Sequence, residues 1–256
     1  MENPPPTVNG RREWRRAWAA LRALIADSQR TDLAFEVIDA LSGNSFERSF
    51  QQFRNNPDGR RLLADRPSLL QTLSDRTTLA NLPAGSFGRA YLTFINAADL
   101  SPEGLVAAEA TAEARNPRPP ADADRQFFAN RMRDMHDLWH VLTGYGMDEA
   151  GEAALLAFNL GQIPNLGMAL IVAASAVIGP KDVHLSFPRY LLQAWRRGRG
   201  TPMLSVAAYE RLLPRPLDEV RQLLGIPAIR AAHPDGIIVG NRATGSNRWT
   251  LATSVQ

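Results

Sequence analysis

The chain has 256 residues, 45% hydrophobic and 21% charged, with a formal net charge of +3. These are the proportions of a soluble globular protein, and they exclude a wholly disordered one. The absence of cysteine rules out disulfides, thiolate zinc sites and a thiol nucleophile. Lys181 is the only lysine, so arginine's high pKa accounts for part of the sequence pI near 9.8. A basic surface can meet anionic phospholipid or nucleic acid. So small a net charge, with no zinc-knuckle, RNP-type or basic–aromatic motif, argues against nucleic acid.

In chain order, residues 1–11 read as a flexible N-terminus, proline-rich and lacking the apolar core of a secretory signal. Trp14, Trp18, Leu21, Leu24 and Ile25 then recur at helical spacing among arginines. Leu33–Leu41 repeats the pattern until Ser42-Gly43-Asn44 stops it. Phe46, Phe50 and Phe53 keep the same period up to the turn cluster Asn56-Pro57-Asp58-Gly59. Further helices are predicted over residues 58–65, 67–73, 86–98, 103–110 and 125–142. Others follow over 149–160, 165–178, 183–198, 203–212 and 216–224. The most apolar stretch, Ile163–Ile178, is interrupted by Pro164 and Asn165 and is shorter than the roughly 20 residues of a membrane span. It predicts a buried helix or one that touches a membrane without crossing it. No strand-like alternation occurs before residue 235, so the fold class expected is all-α, one multi-helix domain over residues 12–228. Residues 229–256 read as an irregular or partly extended tail. Within it, Ile237-Ile238-Val239 followed by Gly240-Asn241 suggests one small hairpin, with disorder at the extreme end as the alternative.

One segment concentrates chemistry. Residues 136–152, HDLWHVLTGYGMDEAGE, hold two of the four histidines one helical turn apart, with Asp137 beside the first and Glu152 after a glycine-containing break. On a helix His140 lies roughly 40° round from His136, so both imidazoles can reach one divalent ion. Gly144 and Gly146 let the chain reverse, and Asp148 is a natural N-cap that returns Glu152 alongside the first helix. Two histidines with one or two carboxylates suit zinc, iron(II) or manganese. The competing reading is a helix–helix hydrogen-bond network. The His-Asp pair also occurs in metal-dependent phosphohydrolases, but those need an upstream histidine, and none precedes His136.

The long pattern H-D-x-x-H-x11-E, set in RMRDMHDLWHVLTGYGMDEAGEAAL, resembles the signature of the coenzyme Q (ubiquinone) biosynthesis protein 4 family. Other segments agree: Asp58-Gly-Arg-Arg-Leu-Leu, Leu82-Pro-Ala-Gly-Ser-Phe-Gly-Arg-Ala-Tyr, Tyr190-Leu-Leu-Gln-Ala-Trp-Arg-Arg-Gly and Leu217-Asp-Glu-Val-Arg-Gln-Leu-Leu-Gly-Ile. The resemblance covers about residues 30–226 and leaves out both termini.

The resemblance implies an all-helical protein that binds a divalent metal through this motif and associates peripherally with membranes. It implies action on polyprenylated quinone precursors. One implied role is removal of the C1 ring carboxyl in favour of a hydroxyl; the alternative is a non-catalytic, lipid-binding scaffold for other quinone-biosynthesis enzymes. The metal ligands expected, also the catalytic residues, are His136, Asp137, His140 and Glu152. Zinc is the first choice of metal, with iron, manganese or magnesium as alternatives. Arg131, Arg133, Arg89 and Tyr91 are expected to contact substrate, and Asp134 to lie at the surface or behind the ligands. Leu155, Leu156, Phe158, Ile163 and their successors offer apolar surface for a prenyl tail, or simply core. Basic residues beside Trp14 and Trp18 suit an interfacial helix. A homo-oligomer is expected, and the arginine-rich composition suggests a bacterial source. The location expected is cytoplasmic, peripheral on the inner face of the cytoplasmic membrane.

Overall fold

The computed structural model describes residues 11–28, 30–97, 101–117, 121–179, 186–240 and 249–252. The first half is built from α1 (Trp14–Ala26), α2 (Thr31–Ala40), α3 (Ser45–Asn55), α4 (Pro57–Asp65), α5 (Leu69–Ser74), α6 (Arg76–Ala80), α7 (Phe87–Ala97) and α8 (Pro102–Arg115). Then come α9 (Ala123–Asp134), α10 (His136–Thr143), α11 (Glu149–Gln162), α12 (Leu166–Ile178) and α13 (Phe187–Gly200). A 3-10 turn (Leu204–Val206) precedes α14 (Tyr209–Leu212), α15 (Leu217–Leu223) and α16 (Ile229–Ala232). Strands β1 (Ile237–Gly240) and β2 (Trp249–Ala252) close the described chain as an antiparallel pair, Ile237 opposite Ala252 and Gly240 opposite Trp249.

The all-α expectation holds, and the departures from it have local causes. The helix predicted over 125–142 divides at Met135, which keeps right-handed torsions (φ −74°, ψ −15°). The helix predicted over 203–212 is a 3-10 turn followed by α14. Its carbonyls are claimed by side chains: Arg131 Nη2 donates to Ala207 O at 2.6 Å and Tyr209 Oη to Leu204 O at 3.0 Å. The five-residue α6 is too short for periodicity to reveal; the Asp75 side chain caps it through the Thr78 amide. Gly240, expected at the turn of the hairpin, is instead paired in β1 opposite Trp249; residues 241–248, including Asn241, lie outside the described residues. Residues 183–185 of the predicted helix 183–198 also lie outside them.

Burial explains the arrangement. The largest core surrounds α11, which packs along α13 on one side and α12 on another. The α11–α13 approach is close enough that a Cβ on Gly198 would lie 2.0 Å from Phe158 O, and Ala154, Ala157 and Ala194 fill the seam. Helix α7 packs on α10, and Ile237 and Ile238 of β1 are buried against the same core. A second cluster joins α1, α2 and α12 through Ala20, Leu21, Val37 and Ile171. A third gathers Phe50, Phe53 and Leu62 around Phe128, with the Phe53 and Phe128 ring centroids 4.9 Å apart.

In α1 the inward face is Ala17, Ala20 and Leu21, which leaves Trp14 and Trp18 more than half exposed. The apolar α12 buries Gly167, Met168 and Ile171 while Val177 and Ile178 face outward. Among the described residues no helix is long and apolar enough to cross a membrane.

Candidate metal centre

The turn between α10 and α11 brings the motif residues together. Helix α10 ends on Gly144, whose left-handed torsions (φ 75°, ψ 12°) close it with a backbone bond from Gly144 N to His140 O at 2.7 Å. Helix α11 starts at the N-cap Asp148, whose Oδ1 accepts from the amides of Ala150 and Gly151 at 3.1 Å each. Glu152 therefore sits in the first turn of α11, where the helix dipole favours a carboxylate. His136 Nε2 lies 3.8 Å from Glu152 Oε2, and His140 Nε2 lies 3.4 Å from Glu152 Oε1. One donor atom from each of the three residues falls within 4.8 Å of the others.

Each imidazole is held from behind. His140 Nδ1 donates to the Tyr145 carbonyl at 3.0 Å. A carbonyl only accepts, so Nδ1 carries a proton, and in the neutral ring Nε2 is the lone-pair nitrogen that faces Glu152. His140 Nε2 is buried and has no hydrogen-bond partner, a costly arrangement unless a cation completes it. His136 Nδ1 donates in the same way to Asp137 Oδ1 at 3.0 Å. Burial alone would lower the pKa of His136, but the Asp137 hydrogen bond and the charges of Glu152 and Asp137 outweigh it and raise the value. Acceptors behind both rings, donors in front and a carboxylate opposite are what a divalent cation requires, and the residues present fit one.

Phe94 of α7 completes the inner wall. Its ring stacks on His140 at 5.3 Å between centroids, and the two histidine rings meet edge-on at 4.9 Å. The centre is graded from inside to outside: the His140 side chain is 1% exposed, His136 31% and Glu152 47%.

The other predicted residues go elsewhere. Asp137 is not within the three-residue donor group and instead orients His136. Arg131 is buried, bound through both terminal nitrogens to Glu210 and through Nη2 to Ala207 O. Arg133 pairs with Glu109 and Asp134, whose carboxyl is pushed above its usual pKa by burial despite that arginine. Arg89 hydrogen-bonds the carbonyl of Ala80. Tyr91 lies on α7, which packs on α10, and feels the charge of Asp137. Its hydroxyl is buried without a hydrogen-bond partner, and burial, reinforced by the charge of Asp137, raises its pKa.

Sequence reasoning missed the groups that hold α10 in place. Arg197 Nη1 donates to Thr143 O at 2.8 Å, and Arg221 donates to Leu142 O at 3.0 Å and Val141 O at 2.9 Å. The open carbonyls at the helix C-terminus are thus met by cations. Phe94 was detectable as the i+3 neighbour of Tyr91; the two arginines had only their place in family-like segments to mark them.

Fold and site together define an all-helical protein in which one helix–turn–helix gathers two imidazoles and a carboxylate that could hold a divalent metal. The chain belongs to the family described as coenzyme Q (ubiquinone) biosynthesis protein Coq4, whose model matches residues 14–230. It is 29% identical over 206 residues to a ubiquinone biosynthesis protein COQ4 homolog, mitochondrial, of Bos taurus, covering 78% of this chain and 72% of that protein. With ubiquinone biosynthesis protein COQ4, mitochondrial, of Yarrowia lipolytica it shares 31% over 205 residues, covering 78% and 74%. A crystal structure from Nostoc punctiforme superposes with a TM-score of 0.61 at 21% identity, covering 85% of this chain and all of that one, which speaks to the fold.

Proposed function

We propose that this protein removes the C1 carboxyl of a polyprenylated hydroxybenzoate and leaves a hydroxyl in its place, using a divalent cation held by His136, His140 and Glu152. The observation that carries the reading is the buried, partnerless Nε2 of His140 facing Glu152 in a family of ubiquinone-biosynthesis proteins. Two imidazoles and one carboxylate suit zinc first, with iron(II), manganese(II) or magnesium as alternatives. When bound, the cation supplies Lewis acidity toward the ring carboxylate or phenolate and stabilises negative charge as CO₂ leaves. The balance requires dioxygen as oxidant: one oxygen atom enters the ring at C1, and the other leaves as water with two electrons and two protons from a reductant.

The residues of the chain set the stage for this reaction. Asp137 and the Tyr145 carbonyl hold both Nδ1 protons, so in the neutral rings Nε2 is the nitrogen each offers to the cation. Phe94 and the buried side of α10 exclude water behind His140, while the exposed edge at Glu152 and His136 admits the ring. Trp14 and Trp18, exposed beside Arg15 and Arg22, suit a peripheral seat on anionic phospholipid, for which we propose the inner face of a bacterial cytoplasmic membrane.

The test is aerobic incubation of purified protein, its metal content assayed, with an added two-electron reductant and a short-tailed substrate carrying a labelled ring carboxyl, followed by mass spectrometry. Loss of the label with gain of one oxygen is expected, and its disappearance in His140→Ala. A full metal complement without turnover overturns the enzyme reading and favours a lipid-binding scaffold.

A further inference from the structure

The segment from α16 onward lies beyond the predicted domain, yet it reaches the core next to the metal centre. His233, directly after α16, is 1% exposed. Its Nε2 accepts from the Tyr145 hydroxyl at 2.7 Å, and its Nδ1 donates to Gln193 Oε1 of α13 at 3.1 Å. Those partners define a neutral ring with its proton on Nδ1. The ring stands edge-on to Tyr145 at 5.6 Å and tilted against Tyr190 at 4.8 Å. Arg197 lies over the other part of this group, 5.3 Å from the Tyr145 ring centroid.

Tyr145 is also the residue whose backbone carbonyl holds His140 Nδ1. It stands in the reversal between α10 and α11, one residue after Gly144, where the backbone is not fixed by helical hydrogen bonds. The side chain of Tyr145 is therefore the handle by which the reversal is fixed, and His233 holds its polar end. We propose that His233 is a positioning residue for the metal centre: through the Tyr145 hydroxyl it fixes the carbonyl that sets the tautomer and direction of His140. The relay rests on the metal reading only for its consequence, because its first effect is on His140 itself.

That difference sets the experiment. The parent chain and the variants His233→Gln and Tyr145→Phe are compared in two measurements. Imidazole nitrogen chemical shifts of metal-free protein report the His140 tautomer. Cobalt(II) titration reports affinity, and its visible d–d bands report geometry. Tyr145→Phe keeps the ring volume, so it guards against simple loss of fold, which circular dichroism checks.

The expected result is a single Nδ1–H tautomer of His140 in the parent chain and a mixture in both variants. A three- to tenfold weaker cobalt affinity and altered d–d bands should accompany it. An unchanged tautomer in both folded variants overturns the proposal, whatever happens to cobalt. A shifted tautomer in a protein that never binds cobalt leaves the relay standing and removes the metal reading instead.

Discussion

The two ends of α10 are built to opposite specifications. At its N-terminal end His136 is partly open and faces the half-exposed Glu152, with few constraints beyond the Asp137 bond. At its C-terminal end Val141, Leu142 and Thr143 are buried, and their carbonyls are held by Arg197 and Arg221. His140 marks the border, sealed on its Nδ1 side and orphaned on its Nε2 side. The contrast teaches that fixed contacts are concentrated behind the imidazoles, so under the proposed function the exposed edge could admit a substrate while the ring directions are kept.

Substitutions should separate the two ends, stability falling at one and metal binding at the other. Arg197→Ala strips a 4% exposed arginine from the carbonyls of Thr143 and Pro227 and from the Tyr145 ring. A loss of about 3–5 kcal/mol in urea unfolding is expected, as for other buried charge–dipole networks broken on one side. A loss below about 1 kcal/mol would break the comparison.

Acid titration comes next. Burial, aided by the charge of Arg197, lowers the His233 pKa from 6.5 to about 4 in the folded state. The unfolded chain therefore takes up this proton first, so the contribution is complete above pH 6.5 and is lost as pH falls toward about 4. The loss attributable to His233 is at most about 3 kcal/mol. His136, with its raised pKa, acts in the opposite sense: its contribution is present at low pH and is lost as pH rises through the folded value. The parent chain should lose more stability than His233→Gln between pH 6.5 and 4 in parallel denaturant titrations. Equal slopes would show that His233 carries no such linkage.

Arg221→Ala should cost less, about 1–2 kcal/mol, since its side chain is 31% exposed and only the two helix-end carbonyls depend on it. Its pairing with the 85% exposed Asp218 adds little. Smallest of all in stability, Glu152→Gln should move unfolding of the metal-free protein by less than about 0.5 kcal/mol, while zinc stoichiometry after loading, read by elemental analysis, falls away. A destabilisation as large as that of Arg221→Ala would mean that Glu152 is structural.

The sequence revealed what is local. His136, His140 and Glu152 share one seventeen-residue segment, and Gly144 and Asp148, which direct the reversal, were legible beside them. Most helices were legible too, because their apolar periods match the buried faces. What stayed hidden was distant in sequence: Arg197 lies 54 residues from Thr143, Arg221 lies 79 from Leu142 and His233 lies 88 from Tyr145. An arginine's partner cannot be read from spacing. For that reason Arg131 and Arg133 looked ready for a substrate carboxylate, yet they bind Glu210, Glu109 and Asp134. In α1 the period was right, with Leu21 packed inward, but Ala17 and Ala20 share that face while Trp14 and Trp18 stay exposed.

The short reversal between α10 and α11 also sets an order in time. His140 and Glu152 are separated by eleven residues, a loop whose closure costs little entropy and takes far less than a millisecond. His233 is synthesised much later, when the whole ligand segment has already left the ribosome. A nascent chain can therefore bring the three side chains together first, with the C-terminal segment docking afterwards. Under the proposed function, capture of the cation would then precede completion of the fold.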